Sequence, residues 1–136
     1  MPTYGQSKLA NLMFALELDR RLQAAGSPVT AYACHPGYSA TALQSTGPEG
    51  VLNMLYKVLN PLVAQPAYNG AIPTVLAAAG EEALPGRYYG PRKFGEARGP
   101  VGDARVSRAA RNEKVAARLW EESEQLVGFQ WDFDTA

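Results

Sequence analysis

The sequence predicts an α/β chain, and three observations carry that expectation. Apolar residues recur at three- and four-residue spacing over residues 4–25. A short β-rich run follows at 29–34, bounded by Ser27-Pro28 and His35-Pro36-Gly37. A second β-rich run, Gly86-Arg87-Tyr88-Tyr89-Gly90, comes after a further helical segment. Helices and strands that alternate in this way belong to layered α/β architectures.

The elements follow in order. Thr3 and Gln6 have the spacing of a capping box, which predicts a helix opening at Tyr4. Leu9, Leu12, Met13, Leu16 and Leu22 supply its apolar residues, and Gly26 is a natural stop. Val29-Thr30-Ala31-Tyr32-Ala33-Cys34 predicts a buried strand ending in a sharp turn, with Cys34 as a small buried hydrophobe and His35 in a structural role. From Tyr38 to Gln65 the pattern predicts a loop and then a short amphipathic helix through Val51, Leu52, Met54, Leu55, Val58 and Leu59. Pro66 suits the first turn of another helix that reaches about Ala79, with Gly80 beyond it and a kink expected at Pro73. Residues 90–102, rich in Gly and Pro, predict an irregular loop. Arg87, Arg92, Lys93 and Arg98 are expected on solvated loop surface. Asp103 is the expected N-cap of a final helical region over 103–127, with Gly128 as its stop. On that helix Arg105, Arg108 and Arg111 have the spacing of one solvated face, and Leu119 and Trp120 anchor the apolar side. The aromatic tail with Phe129, Trp131 and Phe133 is expected to pack on the body or on a partner. Two strands do not make a stable sheet, so further strands are expected from upstream sequence or another chain.

Composition bounds the answer without choosing a function. The chain has 136 residues, 46% apolar and 19% charged, which suits one modest globular domain with a core. Lys+Arg and Asp+Glu are equal at 13 each, so net charge gives no footprint for nucleic acid. One cysteine excludes an internal disulfide, and with one histidine no metal site is expected. Apolar runs fall short of the ~20 residues of a membrane helix. Met1-Pro2-Thr3 lacks a basic region followed by an apolar one, so a cytoplasmic location is the default expectation.

The chemistry concentrates in Tyr4-Gly5-Gln6-Ser7-Lys8, where a phenol and an ammonium share one helix face at i,i+4. A free phenol titrates near ~10, and an adjacent cation favours the phenolate, which brings proton exchange closer to neutral pH. Tyr89 and Lys93 repeat the spacing, but Gly90 and Pro91 break any helix between them, so that pair is incidental.

Several segments in order carry a family likeness. Tyr4 to Asn11, the strand ending in His35-Pro36-Gly37, and Thr41 resemble the short-chain dehydrogenase/reductase family. Gly70-Ala71 and Gly86-Arg87-Tyr88-Tyr89-Gly90-Pro91 resemble its retinol-dehydrogenase-like branch. The resemblance covers nearly the whole chain but only the C-terminal part of the family's fold, from the active-site tyrosine onward. It implies the C-terminal portion of a Rossmann-like, doubly wound parallel-sheet fold without the N-terminal dinucleotide-binding half.

By that resemblance Tyr4 is the general acid/base, and Lys8 tunes it and hydrogen-bonds the nicotinamide ribose. Pro36 and Gly37 bring backbone against the nicotinamide, and the Ser39 backbone and Thr41 hydroxyl hold its carboxamide. The cofactor implied is NADP or NAD, NADP slightly ahead. The region 42–63 is implied to cover a small lipophilic carbonyl or alcohol. No Gly-x-x-x-Gly-x-Gly turn occurs in the chain, and the family's catalytic serine and asparagine would precede Tyr4. The chain is therefore expected to be inactive alone. The alternative is a non-enzymatic fragment that pairs with another subunit or forms a homo-oligomer through exposed apolar faces.

Overall fold

A computed structural model describes residues 2–38 and 65–133. The expected helix around Val51–Leu59 and the substrate-covering region 42–63 lie outside the described residues. The elements are α1 (Pro2–Ala24), β1 (Ala33–Cys34), α2 (Ala67–Ala79), β2 (Tyr88–Lys93), β3 (Arg98–Asp103) and α3 (Glu113–Val127). Among the described residues the fold is α/β, with a three-stranded sheet in the order β1-β2-β3. The chain divides into two compact units. One is built from the residues up to Ala33, Leu84–Tyr88 and the residues from Arg105 onward; the other runs from Cys34 to Ala83 and adds Tyr89–Ala104.

In the first unit α1 starts before Tyr4. Pro2 occupies the opening turn, where its missing N–H costs nothing. Thr3 and Gln6 therefore lie inside the helix and do not form the expected capping box. Gly26, at φ 67°, ends the helix in the left-handed conformation that glycine adopts without a steric penalty.

The final helix begins at Glu113, not at Asp103, because residues 98–103 are drawn into a strand. Its cap is Asn112, whose side chain accepts the Val115 N–H at 3.3 Å. Arg105, Arg108 and Arg111 consequently precede α3 and share no helix face. Gly128 closes α3 with φ 67°.

The core of this unit lies between α1 and α3. Met13, Ala110 and Ala116 are buried there, with Leu9, Leu12, Val106 and Leu119 packed around them. Trp120 is the anchor, only 2% exposed. Phe14 stacks on it at 4.8 Å between ring centroids, and Arg21 lies over its ring at 4.9 Å. Phe133 approaches the same ring at 5.7 Å and Trp131 at 6.4 Å, so the aromatic tail packs on its own chain.

Two carboxylates are buried on α1. Glu17 accepts two hydrogen bonds from Arg20, at 2.6 and 2.8 Å, and one from Arg21 at 2.7 Å. Burial pushes its carboxyl up, but the arginine donors and their charges outweigh that and hold it below the ordinary carboxylate value. Asp19 accepts the Ala31 N–H at 3.2 Å and is also bonded by the Gln23 amide.

That bond corrects the strand expected over 29–34. Ala31 gives its N–H to a helix side chain and not to a neighbouring strand, and only Ala33–Cys34 pair in the sheet. Cys34 is exposed, contrary to expectation. Residues 90–102 are likewise no loop: β2 and β3 form an antiparallel hairpin in which Tyr89 faces Asp103, Gly90 faces Gly102 and Pro91 faces Val101. The ladder shifts between Pro91 and Lys93, which accommodates a residue with no N–H to donate. Arg92 and Lys93 therefore stand on β2 and Arg98 on β3.

Replacing Trp120 with Ala is expected to cost about 3–5 kcal/mol in urea unfolding. Leu126→Ala, at a position 87% exposed, should stay within about 0.5 kcal/mol. The low-lying Glu17 carboxyl contributes stability that is complete above its unfolded value near ~4.3 and is lost as pH falls through the native value. Unfolding free energy measured from pH 6 to pH 2 should thus fall less steeply for Glu17→Gln than for the parent chain.

Candidate functional site

Tyr4 and Lys8 project from the opening turns of α1, and both are exposed, Tyr4 at 64%. The Lys8 ammonium lies 5.5 Å from the centroid of the Tyr4 ring, so one helical turn brings the two groups together. Ser7 donates its hydroxyl to the Tyr4 carbonyl at 2.8 Å and stays within the helix turn. Gly5, between them on the exposed surface, has nothing within 4 Å of where a Cβ would stand. The pair is therefore an open phenol beside a cation, accessible to a reactant oxygen.

Pro36 and Gly37 belong to the second unit, in the turn that follows β1. Gly37 has φ 67°, and a Cβ there would meet the Ala97 carbonyl oxygen and Pro91 Cγ, each at 2.5 Å. Only glycine fits both the conformation and the space. The Tyr38 N–H donates to the Ala97 carbonyl at 2.7 Å, which seats the turn on the β2–β3 hairpin tip. The buried Gln65 donates its amide to the Pro36 carbonyl at 2.6 Å, and its own backbone N–H to the Tyr38 carbonyl at 2.9 Å. Gly37 in turn donates its N–H to His35 Nδ1 at 3.2 Å. Burial pushes the His35 imidazole below its ordinary value, against an upward pull from Glu96, whose Oε2 lies 3.7 Å from Nε2.

Ser39 and Thr41 lie outside the described residues. Tyr89 and Lys93 stand on β2, where a strand, not a helix, separates them. Among the described residues no group of His, Cys, Asp and Glu side chains is arranged to hold a metal ion, and no helix is long and apolar enough to cross a membrane. Sequence reasoning missed Gln65 and Glu96 beside the turn. Gln65 lies far from Pro36 along the chain, and nothing in its local context marks it. Glu96 gave no signal either, since residues 90–102 read locally as an irregular loop.

No protein-family model matches the chain. Curated relatives do. The chain is 39% identical over 131 residues to retinol dehydrogenase 12 of Mus musculus, across 95% of its own length. It is 38% identical over 127 residues to dehydrogenase/reductase SDR family member 13 of Homo sapiens and 39% identical over 127 residues to polyprenol dehydrogenase of Mus musculus. It spans 37%, 31% and 35% of the lengths of these three relatives, the C-terminal part of such proteins. A crystal structure of an uncharacterized protein from Mycobacterium Paratuberculosis superposes with a TM-score of 0.68 at 36% identity, over 95% of this chain and 40% of that one.

Gly37→Ala is expected to destabilise the second unit by more than about 1 kcal/mol, since it combines a disfavoured φ with backbone overlap. Gly5→Ala, on the open helix surface, should instead raise the midpoint of thermal unfolding. Circular dichroism melts of the two variants check the contrast.

Proposed function

We propose that this chain, related to the C-terminal part of the short-chain dehydrogenases/reductases of the retinol-dehydrogenase kind, serves an NAD(P)-dependent oxidoreductase that interconverts a lipophilic carbonyl and its alcohol. The observation that carries this reading is the exposed Tyr4 phenol with the Lys8 ammonium one turn away. Gly37 supports a fixed backbone surface, because its positive φ and its close approach to Ala97 and Pro91 leave the turn one shape and no room for a side chain. Pro36, Gly37, Ser39, Thr41 and Lys8 are the residues assigned to hold the nicotinamide end of NADP or NAD. When bound, that cofactor supplies or accepts the hydride.

The chain's own residues manage the proton. In reduction, the Tyr4 O–H donates to the carbonyl oxygen as negative charge gathers there, and in oxidation the Tyr4 phenolate takes the alcohol proton. Lys8 stands beside it, with its ammonium 5.5 Å from the Tyr4 ring centroid. Ser39 and Thr41 are the residues that would hold the cofactor's carboxamide. The apolar residues of 42–63, among them Leu52, Leu55 and Val58, and the retinol and polyprenol in the relatives' names support a lipophilic substrate.

A second reading has its own support. On α2, Tyr68, Ile72 and Val75 are all exposed, an apolar set that suits a non-enzymatic piece which associates with itself or another subunit.

Titrating the purified chain with NADPH and NADH, followed by nicotinamide fluorescence, separates the two readings. Under the enzyme reading, binding saturates, Lys8→Ala weakens it, and any turnover of a lipophilic aldehyde falls about 10²–10⁴-fold in Tyr4→Phe. A folded chain that sediments as an oligomer and binds neither cofactor would replace the enzyme reading with the associating one.

A further inference from the structure

We infer that His35 and Gln65 are positioning residues that clamp the Pro36–Gly37 peptide from both sides and so set the backbone surface offered to the nicotinamide. The consequence for cofactor rests on the function proposed above; the clamp itself stands on the geometry of the second unit.

The Pro36–Gly37 peptide has two polar atoms, and each is taken by a side chain. Its carbonyl accepts from Gln65 Nε2 at 2.6 Å, and its N–H donates to His35 Nδ1 at 3.2 Å. Rotating that peptide plane would break both bonds at once. Such a rotation is the ordinary way a turn exchanges one type for another, and it would remove the positive φ of Gly37. The two side chains therefore select one of two accessible turn geometries.

His35 is itself held. Its ring rests directly on Gly90, where a Cβ would meet Cε1 at 2.7 Å, so β2 leaves room for the imidazole only by lacking a side chain. Glu96 brings its carboxylate to 3.7 Å from Nε2 and adopts φ 69°, a conformation that non-glycine residues rarely take. Ala97, the next residue, receives the Tyr38 N–H. Acceptance at Nδ1 requires a ring whose proton sits on Nε2, on the side of Glu96. Protonating Nδ1 turns the acceptor into a donor and leaves the Gly37 N–H facing another N–H. Glu96 acts on the ring and favours the protonated form, while Gly90 on β2 has no side chain and Gln65 is neutral.

The test needs no variant for its first arm. In ¹⁵N–¹H spectra of the 136-residue chain, the Gly37 amide should shift with a midpoint below the ordinary imidazole value near ~6.5. Glu96→Gln should lower that midpoint further. NADPH should bind about tenfold more weakly as pH falls through the same midpoint. At neutral pH, His35→Leu and Gln65→Ala should each weaken NADPH about five-fold, the worth of one hydrogen bond. His35→Asn, whose Oδ1 stands in for Nδ1, should restore affinity and abolish its pH dependence. A Gly37 amide indifferent to His35 ionisation would overturn the clamp. NADPH binding that is equal in His35→Leu and flat with pH would overturn its role toward cofactor and leave the proposed function standing. A Gly37 amide that follows His35 in a chain that binds no NADPH would support the clamp and overturn the proposed function alone.

Discussion

Asp19 reaches from α1 to accept the backbone N–H of Ala31, and the turn at Gly86 is shaped around the same carboxylate. A Cβ at Gly86 would stand 2.5 Å from Asp19 Oδ2, and the residue's φ of 68° suits glycine alone. Gly86 donates its N–H to the Ala31 carbonyl at 3.1 Å, and Ala33 donates to the Arg87 carbonyl at 3.1 Å. One buried carboxylate thus ties the helix to the start of β1 and to the approach to β2. A buried carboxylate is costly unless its lone pairs are filled, so this placement is tolerated only while the Ala31 N–H and the Gln23 amide remain in position. The first unit is organised around satisfying that group.

Glu17, two residues earlier, shows the same constraint solved with charge. Its carboxylate is almost wholly buried, while Arg20 and Arg21 keep part of their surface in solvent. The guanidinium of Arg21 also lies over Trp120, so a single side chain serves the ion pair and the aromatic cluster. Polar groups inside α1 are therefore part of its packing against α3. The rotation of α1 about its axis is set by the contacts it makes with α3, where Phe14 stacks on Trp120 and Arg21 lies over the same ring. A fixed rotation is what allows Tyr4 and Lys8 to stay on an exposed face.

The second unit applies this logic to backbone. Hydrogen bonds define the shape of the turn after β1. Gln65, His35 and the Ala97 carbonyl supply them, and Gly37 and Gly90 supply the space. The β2–β3 hairpin matters here for its tip. The left-handed residues Phe94, Gly95 and Glu96 turn the chain sharply enough to bring Glu96 and Ala97 against the turn. The hairpin was not legible from composition, because Gly90, Pro91, Gly99 and Pro100 read locally as loop residues. Cross-strand pairing overrode that local preference, with a register shift beside Pro91. The same override moved the start of the last helix to Glu113, since Asp103 was taken by β3 and Asn112 was left as the cap.

The sequence by itself determined what depends on neighbours a few residues apart. The 3.6-residue repeat makes α1 a helix, and that helix necessarily sets Lys8 one turn from Tyr4. The glycine after Pro36 marked a turn, and the ordered likeness of the segments identified the relatives. The tertiary structure alone decided what depends on groups distant along the chain. It assigned Ala31 to a helix carboxylate instead of a strand, paired β2 with β3, and brought Gln65 and Glu96 to the turn at Pro36–Gly37. The physical reason is that a buried polar atom must be satisfied by whichever partner the fold brings within reach, and local sequence does not specify that partner.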